Sequence, residues 1–486
     1  MRSHLMNIPR GVNYRRYSGI SILAFLTGAA VLVHGYHLGV EDQEVYLSAI
    51  RKGLDPGLYP HNSEFFMTQM RGTIFCKFFV FLIQVCHLPI DALLFAFHLL
   101  SIFLILLGCW MIARRCFQSD AAVWSGLLLV TGVFTIPIAG TALYIVDQYL
   151  HPRAMATWAI LFGIVAILDR RRLICALWLL IATLFHPLMA AFGISFVVFL
   201  AWRRPSSGIQ HAATLIPIGA VTAAWNRAAQ PRSYYFLAKW AWYEWLGVVL
   251  PLAAVWWCAR LSRARGLVTA AFVYRRLLSF GLFQLAVALL LNTRPLLRLT
   301  AFQPMRWMHL FYLLLFLLSG GLIGEFLLGR HVWRWVALFL PLYAGMFYAQ
   351  RQLFPSSSHI ELGCGKNEWC QAFDWVRENT PKDAYFALNP RYANIPGEDH
   401  HGFRSSAERS MLEEESQDAG AATVFPALLG RWYEQSQALE GWEHFEVPQF
   451  LRLHDRFGVN WILLERDVSG LACPYRNRSV RVCRIP

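Results

Sequence analysis

Apolar runs of near-spanning length recur from residue 18 to residue 349 and then stop. A bilayer core takes about 20 apolar residues per helix, so the pattern predicts an all-α polytopic membrane protein. The runs fall at 18–35, 92–113, 122–140, 154–168, 173–185, 188–202, 211–224, 245–259, 276–291, 309–328 and 332–349, about eleven spans. The stretch 73–88 is also apolar but carries Lys77 and His87. We read it as a juxtamembrane helix within a first loop of 36–91. Beyond Pro355 the pattern becomes that of a soluble domain. Helical periodicity over 368–378 and 448–457 alternates with strand-like stretches at 384–388 and 460–465, which predicts a small α/β domain. The organisation is a membrane domain, 1–355, followed by an α/β domain, 356–486.

Charge orients this plan. Residues 1–349 hold 29 Lys+Arg against 11 Asp+Glu, whereas 350–486 hold 15 against 19. The basic excess is gathered into short clusters beside apolar runs: Arg2 to Arg16, Arg114–Arg115, Arg170–Arg172, Arg203–Arg204, Arg260–Arg265 and Arg330–Arg334. Such clusters mark cytoplasmic ends of spans, so the N-terminus is expected inside. An odd span count then puts the C-terminal domain outside. Clusters beside spans are not the continuous basic face that nucleic acid requires, so no nucleic-acid partner is expected. Outside means oxidising, and two close pairs, Cys364/Cys370 and Cys473/Cys483, are candidate disulfides.

The acidic residues point to chemistry. Five of the 11 in the membrane half lie in the first loop: Glu41, Asp42, Glu44, Asp55 and Glu64. Carboxylates at a membrane boundary tend to be paired or functional. Glu41 and Glu44 read as capping or solubilising residues, and Asp55, before Pro56-Gly57, as a turn residue. A second loop offers Asp147, His151 and Arg153, and later segments add His186, Arg306 and His309. Arginines at the outer boundary run against the topological bias and want an anion, which a phosphate supplies. In the tail, Glu413-Glu414-Glu415 reads as a solvated face. There is no phosphate-binding glycine loop, dinucleotide fingerprint or zinc-protease helix.

Glu41-Asp42 just past the first span, Tyr46 four residues on, a juxtamembrane helix, a second acidic loop and an outer C-terminal domain resemble the GT-C superfamily of membrane glycosyltransferases. The segments Leu54 to Pro60, Phe185-His186-Pro187, Gln303 to Arg306, Trp375 to Pro381 and Phe457 to Glu465 are similar to a group of uncharacterised bacterial multipass proteins. The resemblance implies a protein of the bacterial cytoplasmic membrane that transfers a sugar from a polyprenyl-phosphate carrier to an unidentified acceptor on the outer face. It implies Asp42 as catalytic base, with Tyr46, Asp147, Arg153, His186, Arg306 and His309 binding substrate. A divalent cation, Mg or Mn, would sit on Asp42 and Asp147; the single acid of the second loop departs from the family pattern there. The alternatives are a transporter or flippase of a lipid-linked saccharide, and a non-catalytic scaffold of envelope glycan assembly.

Overall fold

The computed structural model describes residues 14–202, 221–355, 357–363, 367–395 and 401–486. Arg2, Arg10, Arg203–Arg204, Cys364 and most of the expected span 211–224 therefore lie outside the described residues. The bundle is built from α1 (Tyr14–His34), α2 (Gln43–Leu54), α3 (Glu64–Met70), α4 (Phe75–Cys86), α5 (Ile90–Cys116), α6 (Asp120–Gly132), α7 (Pro152–Leu168), α8 (Arg172–Phe185) and α9 (Pro187–Ala201). It continues with α10 (Ala223–Ala229), α11 (Trp242–Ala264), α12 (Val268–Leu291), α13 (Trp307–Ile323) and α14 (Val332–Leu353).

Where eleven spans are expected, five helices among the described residues are long and apolar enough to cross a membrane: α5, α11, α12, α14 and the stretch Pro304–Leu328 that contains α13. Six other apolar helices have 10–17 residues. At about 1.5 Å per residue these are shorter than a hydrocarbon core of about 30 Å. One of the six is α4, which lies within the stretch 73–88. The amide of Ile74, at its start, bonds the carbonyl of Leu184 beside the α8–α9 turn. Its far end turns at His87 (φ 53°) straight into α5. It packs along α2, with both ends at the same end of the bundle.

Among the described residues, the clusters around Arg114–Arg115, Asp169 and Arg265 lie at the opposite end. Arg115 holds Asp169 through two bonds of 2.8 and 2.6 Å, Arg114 holds Asp120 at 2.6 Å, and Arg265 stacks over Phe326. The Ser119 hydroxyl both caps α6 and bonds Glu325. Small residues allow α6 and α13 to approach closely; a Cβ on Gly126 would lie 2.6 Å from the Leu317 carbonyl oxygen.

The tail folds as a mixed five-stranded sheet with its own helices. Its strands are β3 (Tyr385–Ala387), β4 (Ser410–Met411), β5 (Trp461–Leu464), β6 (Ala472–Arg476) and β7 (Arg481–Arg484), ordered β4-β3-β5-β7-β6. The central strands pair in parallel and the last two antiparallel. Its helices are α15 (Glu368–Asn379), α16 (Phe403–Ala407), α17 (Gln417–Val424), α18 (Pro426–Ala438) and α19 (Val447–Phe457). Cys473 and Cys483 are disulfide-bonded across the β6–β7 hairpin. Cys370 is also disulfide-bonded.

The tail caps the bundle rather than hanging from it. Two-residue strands β1 (Tyr36–His37) and β2 (Ile360–Glu361) pair in parallel, joining the exit of α1 to the entry of the tail. Tyr59 donates to the Arg404 carbonyl at 2.8 Å. Asn62 donates to Tyr385, Met411 and Gln435, each at 2.9 Å. Arg51 pairs with Glu408 at 2.7 Å. The turn at Asp55 forms through its Oδ1 and the Gly57 amide at 2.9 Å, and its other oxygen takes Lys382 at 2.7 Å.

Candidate functional site

A cavity of about 940 Å³ lies between the cap and the end of the bundle. Its walls come from the first loop, the segment 137–153, the α8–α9 turn, the segments 232–235 and 301–306, and the cap around α17. Met70, Phe185, Leu188, Phe302 and Phe425 give it an apolar side; Glu41, Asp42, Asp147, His151, Arg153 and Arg306 give it a polar one.

Local sequence sets each polar group. His151-Pro152 and His186-Pro187 each start a helix: proline fits the first helical position, and the histidine before it caps. The His151 Nδ1 accepts the Arg153 amide at 2.9 Å, and the His186 Nδ1 accepts the Met189 amide at 3.4 Å. With Nδ1 accepting, the neutral rings carry their protons on Nε2. The two rings lie 6.0 Å apart. The His151 Nε2 approaches Asp42 Oδ2 at 3.6 Å, while Tyr46 meets the His151 ring edge-on at 5.0 Å.

Arg153 and Asp147 are buried as a pair, with Nη2 reaching both carboxylate oxygens at 2.8 Å. The Nη1 of Arg153 is left buried without an acceptor. Arg306 follows a left-handed turn at Gln303 (φ 51°). It lines the cavity with its Nε–H buried and unpartnered, and it makes no ion pair among the described residues. One N–H nitrogen on each of these two cavity-lining guanidiniums is therefore buried without a hydrogen-bond acceptor.

The adjacent carboxyls of Glu41 and Asp42 are driven in opposite directions. Burial and the charges of Asp42 and Asp147 push Glu41 up to about 7, opposed by a hydrogen bond from Tyr149. For Asp42 burial also acts upward, but His151 and the charges of Arg153 and Arg306 outweigh it and hold the carboxyl well below the usual carboxylate range. Protein surrounds Asp42 on all sides, yet its side chain is 41% exposed because it borders the cavity space.

Asp42, Tyr46, Asp147, Arg153, His186 and Arg306 thus come together as the sequence suggests. His309 does not: three residues into the helix it turns inward and bonds the Ile145 carbonyl at 2.9 Å. Asp42 and Asp147 are not assembled as metal ligands, since Asp147 spends both oxygens on Arg153. Among the described residues no group of three His, Cys, Asp or Glu is placed to hold a metal ion.

Sequence reasoning misses several cavity residues. Glu44 is no solubilising residue: it is buried, and its Oε1 accepts the Arg404 amide at 3.1 Å. Glu413 and Glu414 are buried too, overturning the expected solvated face, and Glu414 lines the cavity. Burial pushes the Glu44 carboxyl up to about 7 and Glu414 well above the usual range. Tyr149 and the face of α17 complete the wall; only the proximity of Tyr149 to His151 in sequence hints at its place. No protein-family model and no curated protein matches this chain.

Proposed function

We propose that the protein is a glycosyltransferase of the GT-C type, moving a sugar from a polyprenyl-phosphate carrier to an acceptor on the outer face of a bacterial cytoplasmic membrane. Supporting this orientation, the arginine clusters sit at one end of the bundle and the cap at the other, as basic cytoplasmic ends require. Transfer needs cations to receive the leaving phosphate and a carboxylate to take the acceptor proton. The observation that carries the reading is the pair of unsatisfied guanidinium donors, on Arg306 and Arg153, beside Asp42 and Glu41 in one cavity. A phosphate matches such donors. The apolar side through Phe185, Leu188 and Phe302 suits a lipid chain. The titratable groups cluster at the cap end instead of following the bundle axis, which favours chemistry over passage through the membrane.

The test is transfer from short-chain polyprenyl-phosphate sugars by purified protein, compared with Arg306→Gln. Wild type should consume the donor, and R306Q should lose most of that activity while melting at the same temperature. Donor left intact by wild type across the sugar panel overturns the reading, as does an R306Q variant of full activity.

A further inference from the structure

We infer that Glu41, and not its neighbour Asp42, takes the acceptor proton, with Asp42 remaining an anion that orients His151 and balances the two arginines. This rests on the transferase reading above. The first observation is backbone geometry. Glu41 sits at φ 48°, a left-handed conformation that a residue with a Cβ seldom adopts. That conformation turns Glu41 and Asp42, adjacent in sequence, into the same cavity.

The second observation is what each carboxylate meets. Asp42 faces the Nε2–H of His151 at 3.6 Å and the positive charge of Arg153 and Arg306. Every one of these stabilises the anion, and an anion so stabilised is a weak base. Glu41 makes no ion pair among the described residues. Its Oε2 accepts one bond, from the Tyr149 hydroxyl at 3.1 Å, leaving Oε1 for an acceptor hydroxyl. Two neighbouring carboxyls in opposed environments divide acid–base work between them. The upward push on Glu41 brings its proton affinity close to neutral pH, where proton transfer is most effective.

The step balances without a further reactant. The acceptor oxygen forms a bond to the anomeric carbon as the bond from that carbon to the phosphate oxygen breaks. The electron pair of the broken bond leaves on the polyprenyl phosphate, toward Arg306 and Arg153. The acceptor proton passes to Glu41 Oε1 and then to cavity water.

The experiment is the pH profile of transfer for wild type, Glu41→Gln and Asp42→Asn, with infrared titration of the carboxyl groups on the same samples. Wild type should gain rate as pH rises through about 7. E41Q should slow by about 10²–10⁴-fold and lose that limb. D42N should keep the limb but shift it to lower pH, because the anion that repels the Glu41 charge is gone. One component of the protonated-carboxyl infrared band should titrate near the same pH and be lost in the difference between wild type and E41Q, while the components of Glu44 and Glu414 stay in both, a readout that needs no turnover. A limb that persists in E41Q and disappears in D42N makes Asp42 the base and overturns the inference. An infrared band unchanged by E41Q overturns it whatever the activity. If the band behaves as expected but wild type transfers from no carrier, the transferase reading fails and Glu41 is left as a proton-binding group without this role.

Discussion

Arg404→Met removes the one cation from a nest of buried acids. The Arg404 guanidinium holds Asp418 through two bonds of 2.9 and 2.5 Å, and both side chains are 3% exposed. Glu44 and Glu414 lie close enough to feel the same charge. Methionine keeps the aliphatic packing but strands the Asp418 charge. Breaking one side of a buried pair costs about 3–5 kcal/mol, a large part of the 5–15 kcal/mol that holds a typical domain. For a domain of this size that corresponds to a fall in melting temperature of roughly 10 °C. Thermal melts of detergent-purified protein, with limited trypsinolysis of residues 356–486, should show the cap released early. The double variant R404M/D418N should recover much of the loss, because removing both partners leaves no bare charge. A loss below about 1 kcal/mol, or a double variant no better than the single one, would refute the claim that this pair anchors the cap.

Three further outcomes follow from the same contacts. The Glu44 carboxyl is pushed from 4.5 up to about 7 by burial, so the folded protein holds this proton more tightly than the unfolded chain. Its stabilisation is full below about pH 4.5 and is lost as pH rises to about 7, on the order of 3 kcal/mol; E44Q should flatten that slope in melts taken across the window. Cys473→Ser opens a short loop, with a sequence separation of 10, and should cost about 3 kcal/mol in cap stability. A reductant should then lower wild type by more than the variant, which already lacks this bond while sharing the disulfide of Cys370. Gly126→Val drives a side chain into the Leu317 backbone and should cost about 1–3 kcal/mol, read as early aggregation on size exclusion.

What could be read from the chain was whatever depends on local pattern. The arginine clusters needed only counting, and those at Arg114–Arg115 and Arg265, among the described residues, lie at one end. Helix α15 announces itself through Asn367, whose side chain caps the Cys370 amide at 2.8 Å. The stretch 73–88, read as juxtamembrane from Lys77 and His87, contains α4, which packs beside α2. The misreadings share one cause. Glu44, Glu413 and Glu414 look solvated because a charge run ordinarily is. Their burial depends on Arg404 meeting Asp418, 14 residues on, and Glu44 of the first loop, 360 residues away, pairings that no periodicity encodes. His309 lies elsewhere for a simpler reason: its ring bonds the Ile145 carbonyl at 2.9 Å inside the bundle, a partner 164 residues away that the sequence around Arg306 does not announce.

The parallel pairing of β1 with β2 has a consequence for how the molecule is made. His37 leaves the ribosome 324 residues ahead of Glu361, an interval of roughly 15–65 s at ordinary rates of synthesis. During that time Asn62, Tyr59 and Glu44 of the first loop lack the partners that will bury them. The cavity is thus the last thing completed, and a nascent chain stalled anywhere before the tail presents unsatisfied polar groups that quality-control proteases can recognise.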